Sequence, residues 1–304
     1  MPLRQEDLVV ISSILYKQKE DELILREAVH LNTSYPPYST EVGYEHFTKK
    51  GSAQILAFGA SAKDIPRVGE IGGRVTKPVY KIATSIAFEE SEIDAYQSRA
   101  ALGQGPAVSL DTIRIETARR LIAEEEQRIF FTGDAKYKIR GMFNHDGIVT
   151  GEVSKTGTGG STKWENKTPL QKLADLHAAK AAVEKDGLFK AKVLVLSPSA
   201  YLGLLKPYSE MATMTVLKWL ESEGVFFDKI IPTRAVQKEY TGLGEDLICA
   251  FDNNPEVVEL SLIEDIKLGQ PVYDLLGNSE MAVTEKTAGI ILRHPKGVYV
   301  GTGV

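Results

Sequence analysis

The sequence predicts a mixed α+β fold in which helices and strands are partly segregated along the chain. Three observations carry this. One long helical pattern covers 109–131, and short apolar strand-like runs crowd the C-terminal third. An extended stretch punctuated by proline and glycine precedes both. The regular strand–helix alternation of a doubly wound sheet or a barrel is missing, and so is any repeat of solenoid period. With 304 residues, 43% of them hydrophobic, the chain has material for a sizeable core, as two domains or one elaborated domain.

Residues 1–22 read as a short helix, because Leu8, Ile11 and Leu15 recur at helical spacing before a charged run. Residues 31–50 hold adjacent prolines, three tyrosines and a phenylalanine, and read as extended. Aromatics in that number call for a surface to lie on. Two readings stand equally: an arm over a neighbouring subunit, or an arm wrapping its own domain.

Residues 61–87 read as two extended segments around a tip at Gly72-Gly73. Ile71, Val75, Val79, Tyr80 and Ile82 favour strands, while Pro66 and Pro78 argue for an edge or free-standing hairpin. Five basic residues stand against two acidic ones between Lys63 and Lys81. A hairpin with little apolar backing is marginal alone, so it needs its own domain or another chain beneath it.

The helix over 109–131 has Ser109 or Asp111 as cap and an apolar stripe of Leu110, Ile113, Ala118, Leu121, Ile122 and Ile129. Glu116 with Arg120 and Glu124 with Arg128 are favourable i,i+4 pairs, and Gly133 helps to stop the helix. Its length is roughly 35 Å. Residues 133–148 have turn composition. Residues 151–168, small and polar, read as a flexible loop. A helix follows over 169–185, then a strand at 191–197 and two short helices, in SPSAYLGLLKP and around 215–223. Further strands are expected near 226–231, 247–251, 257–263, 281–292 and 298–300.

The formal charge of −5 favours solubility and does not describe a protein that wraps nucleic acid by neutralising phosphates, although one face can still contact it. Cys249 is the one cysteine, so no intrachain disulfide forms; beside Ala250 and Phe251 it reads as a buried apolar residue. The composition fits synthesis in a reducing cytoplasm. The N-terminus has acidic residues and no apolar run, unlike a secretory signal, and no stretch reaches the roughly 18 apolar residues of a membrane helix.

No local pattern marks catalytic, cofactor-binding or metal-binding residues. His30, His46, His145, His177 and His294 are scattered, with His177 on a helix surface and His145 in a turn. GTGG at 157–160 lacks the lysine and hydroxyl of a phosphate loop and reads as a linker. GEIGG at 69–73 lacks the context of a dinucleotide fingerprint. Ser197 and Ser199, between strand and helix, read as capping residues rather than nucleophiles. Glu124, Glu125 and Glu126 point in different directions on a helix, and they read, like Glu89 and Glu90, as a solvated face.

The stretch from IAFEESEIDAYQSRA through SLDTIRIETARRLIAEEEQRIFFTGDAKYKIRGMFNHDGI resembles the major capsid proteins of tailed phages and the encapsulins, shell proteins of the same Hong Kong 97-like fold. A basic extended hairpin precedes a long helix that ends in EEEQRIFFTGD and RGMFNHDG. The likeness is nearest to the encapsulin-like group of phage capsid proteins. It is most specific over about 80–148 and runs by order of elements over most of the chain.

The resemblance implies a Hong Kong 97-like capsid fold with an N-terminal arm, an extended β-hairpin loop, a peripheral domain with a long spine helix, and an axial domain. By it, residues 1–60 hold the arm and the start of the peripheral domain, and 61–87 the extended loop. Residues 88–168 hold the peripheral domain with its spine helix at 109–131, 169–275 the axial domain, and 276–304 the return strands. It implies a non-enzymatic major capsid protein of the virion, self-assembling as pentamers and hexamers into an icosahedral head around phage double-stranded DNA. Portal, scaffolding and decoration proteins would be partners, DNA would be contacted without sequence specificity, and no membrane or cofactor is involved. The alternative is an encapsulin nanocompartment enclosing a cargo enzyme. The long charged scaffolding segment that opens many family members has no counterpart beyond a short helical start. The lysine and asparagine that crosslink some members cannot be matched, so no covalent bond is expected.

Overall fold

The computed structural model describes residues 22–53, 55, 67–92, 94, 98, 110–207, 214–222 and 226–304. The helix expected from Leu8, Ile11 and Leu15 lies outside the described residues, as do Pro66 and the cap at Ser109. The N-terminal part holds α1 (Leu25–Ala28), β1 (Leu31–Asn32), β2 (Glu41–Lys50), β3 (Gly69–Pro78) and β4 (Tyr80–Phe88). Then come the long helix α2 (Leu110–Phe131), β5 (Gly133–Asp134), β6 (Ile139–Arg140), β7 (Val149–Glu152), α3 (Pro169–Glu184), β8 (Val193–Leu196) and α4 (Pro198–Leu204). The remainder holds α5 (Val216–Ser222), β9 (Lys229–Pro232), α6 (Lys238–Thr241) and β10 (Leu247–Phe251). Last come β11 (Val258–Leu268), β12 (Val272–Tyr273), β13 (Ser279–Leu292) and β14 (Val298–Thr302).

Strand β10 shows how one sheet is covered on both sides. Leu247, Cys249 and Phe251 enter one core with Val193, Val195, Val298 and Val300. Ile248 and Ala250 enter another with Leu194, Leu196 and Tyr299. Alternation with apolar residues on both faces is what a central strand requires, and β10 sits at the centre of the order β7-β14-β10-β8-β9. On one face lie α3, α4 and α5, through Leu176, Ala179, Val183, Leu204 and Leu220. On the other lies the second sheet, through Leu260, Ile290 and Leu292, together with Phe130 and Phe131 from the end of α2.

The second sheet is organised by β13. It pairs with β11 and then β12 along one edge and with β4 along the other, and β1 extends it parallel to β11. Ala118, Ile122 and Ile129 of α2 bury against Ile82, Ile86, Phe88 and Val283 of this sheet. Leu121, expected on the same stripe, is exposed. Gly133 follows the helix at φ +78°, and Gly141 packs against Phe131 backbone, so the helix end turns back at once into β5 and β6.

Four expectations change. Gly72-Gly73 is not a tip: both glycines lie inside β3, which pairs with β2 over ten consecutive positions from Glu41↔Pro78 to Lys50↔Gly69. A Cβ at Gly73 would stand 2.4 Å from the His46 ring and one at Gly72 3.0 Å from Phe47. These glycines therefore make room for cross-strand aromatics. The segment 61–87 also divides, since β4 belongs to the second sheet.

Residues 151–168 are anchored rather than flexible. Trp164 is buried, Lys167 forms a buried ion pair with Asp175 at 2.7 Å, and Trp164 Nε1 donates to Asp175 at 3.1 Å. Thr168 and Gln171 close a capping box at the start of α3. Finally, the strand expected from Phe226 starts at Lys229, because Phe226 and Phe227 are spent on packing beneath α3, with His177 edge-on to Phe226.

Candidate assembly surface and buried polar centres

The β2–β3 ribbon leaves the body of the molecule. Its base is held: Val42 is buried with Ile263 and Ile291, Tyr44 packs on that cluster, and Arg293 lies over the Tyr44 ring at 5.6 Å. Tyr35 donates to Glu259 at 3.0 Å. The proximal part of 31–50 therefore wraps its own sheet. Beyond Tyr44 every residue of β2 is exposed, and Gly69–Gly72 of β3 are exposed opposite. This distal part extends roughly 20 Å with both faces uncovered. Phe47, Val68 and Ile71 stand on it 66%, 78% and 57% exposed. A second apolar group, Val272, Tyr273, Leu275 and Leu276, is exposed around β12. Phe47 pairs with Gly72 and Ile71 with Thr48, so these two side chains stand on opposite faces of the ribbon, and large apolar side chains left in water are covered by partners in working proteins.

The basic excess of the ribbon is only partly free. Arg67 and Arg74 are exposed. Lys77 is not: its Nζ donates to the Ile290 carbonyl at 2.7 Å and lies 3.5 Å from His145 Nε2. Burial pushes the Lys77 ammonium down to about 8, and burial lowers His145 as well. Lys77 is a bolt joining ribbon to sheet.

The glutamate run also divides. Glu124 takes Arg120, and Arg128 pairs with Glu125 at 2.7 Å and Asp134 at 2.8 Å, not with Glu124. Glu126 is no part of a solvated face. It is 2% exposed and receives Arg26 Nε at 3.0 Å. The same guanidinium reaches Asp265 at 3.1 Å and the fully buried Glu285 at 3.5 Å. Burial first, and then the neighbouring Glu126 carboxyl, hold the Glu285 carboxyl far above its ordinary range, so Glu285 keeps its proton at neutral pH. This centre ties α1 to α2 and the second sheet. No local pattern marks it.

The other residues considered for chemistry stay apart. His30, His46, His177 and His294 are exposed, and His145 faces Lys77. Among the described residues no group of three or more His, Cys, Asp or Glu side chains is placed to hold a metal. Cys249 is fully buried, and burial pushes its thiol well up. Ser197 caps α4, accepting from the Ala200 N–H at 3.3 Å and sharing a 3.0 Å hydrogen bond with Ser199. GTGG at 157–160 is a turn with Gly159 and Gly160 at positive φ. GEIGG at 69–73 is strand. Glu89 and Glu90 are exposed. No helix among the described residues is long and apolar enough to cross a membrane.

The fold is shared with known shells. The capsid of Myoviridae phage XM1 superposes with a TM-score of 0.82 over 99% of each chain, at 14% identity. The capsid of an empty GTA particle gives 0.66 over 98% of this chain and 97% of that one, at 11% identity. The virus-like particle from Pyrococcus furiosus gives 0.58 over 90% of each, at 18% identity. No curated protein sequence matches the chain. The family model described as "Major capsid protein" matches residues 51–304. The chain therefore belongs to the major capsid protein family and has a mixed α+β fold like that of the Hong Kong 97-like capsids: it is a structural component of a virion capsid and not an enzyme.

Proposed function

We propose that the chain builds the icosahedral head of a tailed phage, closing as pentamers and hexamers around double-stranded DNA. In this reading 1–60 hold the arm and the start of the peripheral domain, and 61–87 the extended loop. Residues 88–168 form the peripheral domain around its spine helix, 169–275 the axial domain and 276–304 the return strands. The pairing of β2 with β3 argues that the working loop also recruits residues from 41 onward. Portal and scaffolding proteins, and decoration proteins on the outside, are the further partners of this reading.

The observation that carries it is the ribbon beyond Tyr44, which stands clear of the body with Phe47, Val68 and Ile71 exposed. A two-stranded ribbon with both faces in water is marginal by itself, and a second copy beneath it supplies the missing face. Replacing residues 45–74 with a short Gly/Ser turn tests this. Circular dichroism should show near-normal helix content, while sedimentation and electron microscopy show no shells. Normal shells from the shortened chain would overturn the loop's role, and an unfolded chain would assign the ribbon to its own core. Reversing Arg67 and Arg74 to glutamate should weaken assembly more mildly, and more at low salt than at high. Wild-type particles holding a folded enzyme in place of nuclease-protected DNA would favour a nanocompartment.

A further inference from the structure

On the face of the first sheet covered by α3 and α4, a cavity of about 610 Å³ opens between residues 163–172, 197–206 and 234–246. Lys172 lines it from the first turns of α3. The residue is 5% exposed, yet among the described residues no carboxylate or carbonyl hydrogen-bonds its ammonium. Its Nζ rests against the backbone of α4, where a Cβ on Gly203 would stand 2.6 Å away, and lies 5.9 Å from the Trp164 ring centre.

A buried ammonium is tolerated when it is paired or when it faces something that pairs it. Here the strongest charged neighbour is another cation, Lys206 on the cavity rim. Glu165 also acts on Lys172, but more weakly than Lys206. Burial and Lys206 together depress the Lys172 ammonium. Glu239, Glu245 and Asp246 line the cavity as well, and Asp246 is engaged by the Lys238 backbone N–H at 3.1 Å. Ser197 and Ser199 also line the cavity. Ser197 accepts from the Ala200 N–H, and the two hydroxyls share one hydrogen bond, which leaves one hydroxyl hydrogen uncommitted.

We propose that the Lys172–Lys206 end of this cavity is an oxyanion site that takes a phosphate group, with two ammonium groups and a serine hydroxyl as donors. The site goes beyond the shell role and does not depend on which face of the shell it occupies. The phosphate can be a free ion or a phosphodiester of nucleic acid, and both present the same oxygens to the same donors.

Inorganic phosphate and a thymidine tetranucleotide are titrated separately into the full chain by calorimetry. Chloride at matched ionic strength serves as the control. At least one of the two should bind where chloride does not. Phosphate alone identifies the free ion, and tighter binding of the tetranucleotide identifies the phosphodiester. Lys172→Met should weaken binding about tenfold or more, the loss of one charge-assisted hydrogen bond. Lys206→Met, on an exposed side chain, should weaken it severalfold. Absence of binding by the wild-type chain overturns the proposal, as does binding unchanged in both variants. Phosphate bound by free subunits but excluded from assembled shells would also overturn it, handing the lysines to a carboxylate of a neighbouring copy.

Discussion

The buried carboxyl pair predicts that removing a charge-bearing group stabilises the subunit. Glu285 has no exposed surface, its neighbours are Glu126 and Asp265 as well as Arg26, and its carboxyl is raised to about 9. Between its ordinary value near 4.5 and about 9, the native state holds a proton that the unfolded chain has released. Stability therefore falls as pH rises through that window, by about 1.4 kcal/mol per pH unit. At pH 7 the interval above the ordinary value is about 2.5 units, which gives a penalty of about 3 kcal/mol. That figure holds for any native value above 7. In Glu285→Gln an amide of the same shape replaces the protonated carboxyl and takes up no proton. Urea unfolding of the full chain, below its assembly concentration, should show the variant more stable by about 2–3 kcal/mol near neutrality. The advantage should widen toward about pH 9 and vanish near about pH 4. A difference that is flat with pH, or a variant destabilised at neutrality, would refute the raised Glu285 carboxyl.

Other substitutions test neighbouring claims. Arg26→Gln leaves the buried Glu126 without its countercharge and should cost about 3 kcal/mol in the same unfolding experiment. Asp175→Asn strands the fully buried Lys167 ammonium and should cost about 3–5 kcal/mol, while the double variant Lys167→Met with Asp175→Asn, whose amide oxygen can still accept from Trp164 Nε1, should recover much of it. Gly133→Ala places a methyl 2.3 Å from the Ile139 carbonyl at a left-handed φ of +78°. It should cost about 3 kcal/mol or more, visible as a lowered melting temperature.

Much of the fold was legible locally. The apolar run at 247–251 is strand over those residues, and the long amphipathic pattern at 109–131 is a helix from Leu110 to Phe131. The helix ending at Glu184 and the strands at 193–196 and 279–292 lie within a few residues of expectation. In each case one or both faces are buried by the element's own periodicity, which the sequence carries in full. The capping box at Thr168 and Gln171 is also a local motif, carried by TPLQ at the end of the polar stretch.

What the sequence by itself determined is the set of elements, the absence of any local catalytic or metal motif, and a family resemblance strong enough to name the shell. Only the tertiary structure decided that Gly72-Gly73 is mid-strand, because the partner that fills their space, His46 with Phe47, lies on β2. It alone separated Glu126 from Glu124 and Glu125, since burial there comes from Arg26 and Glu285, far away in the chain. It alone turned 151–168 from a polar loop into an anchored one, through Asp175 on α3. The physical reason is common to all three. Periodicity records which face of an element is apolar, whereas the partner of a glycine gap or a buried charge is chosen by contacts that exist only once distant segments have packed.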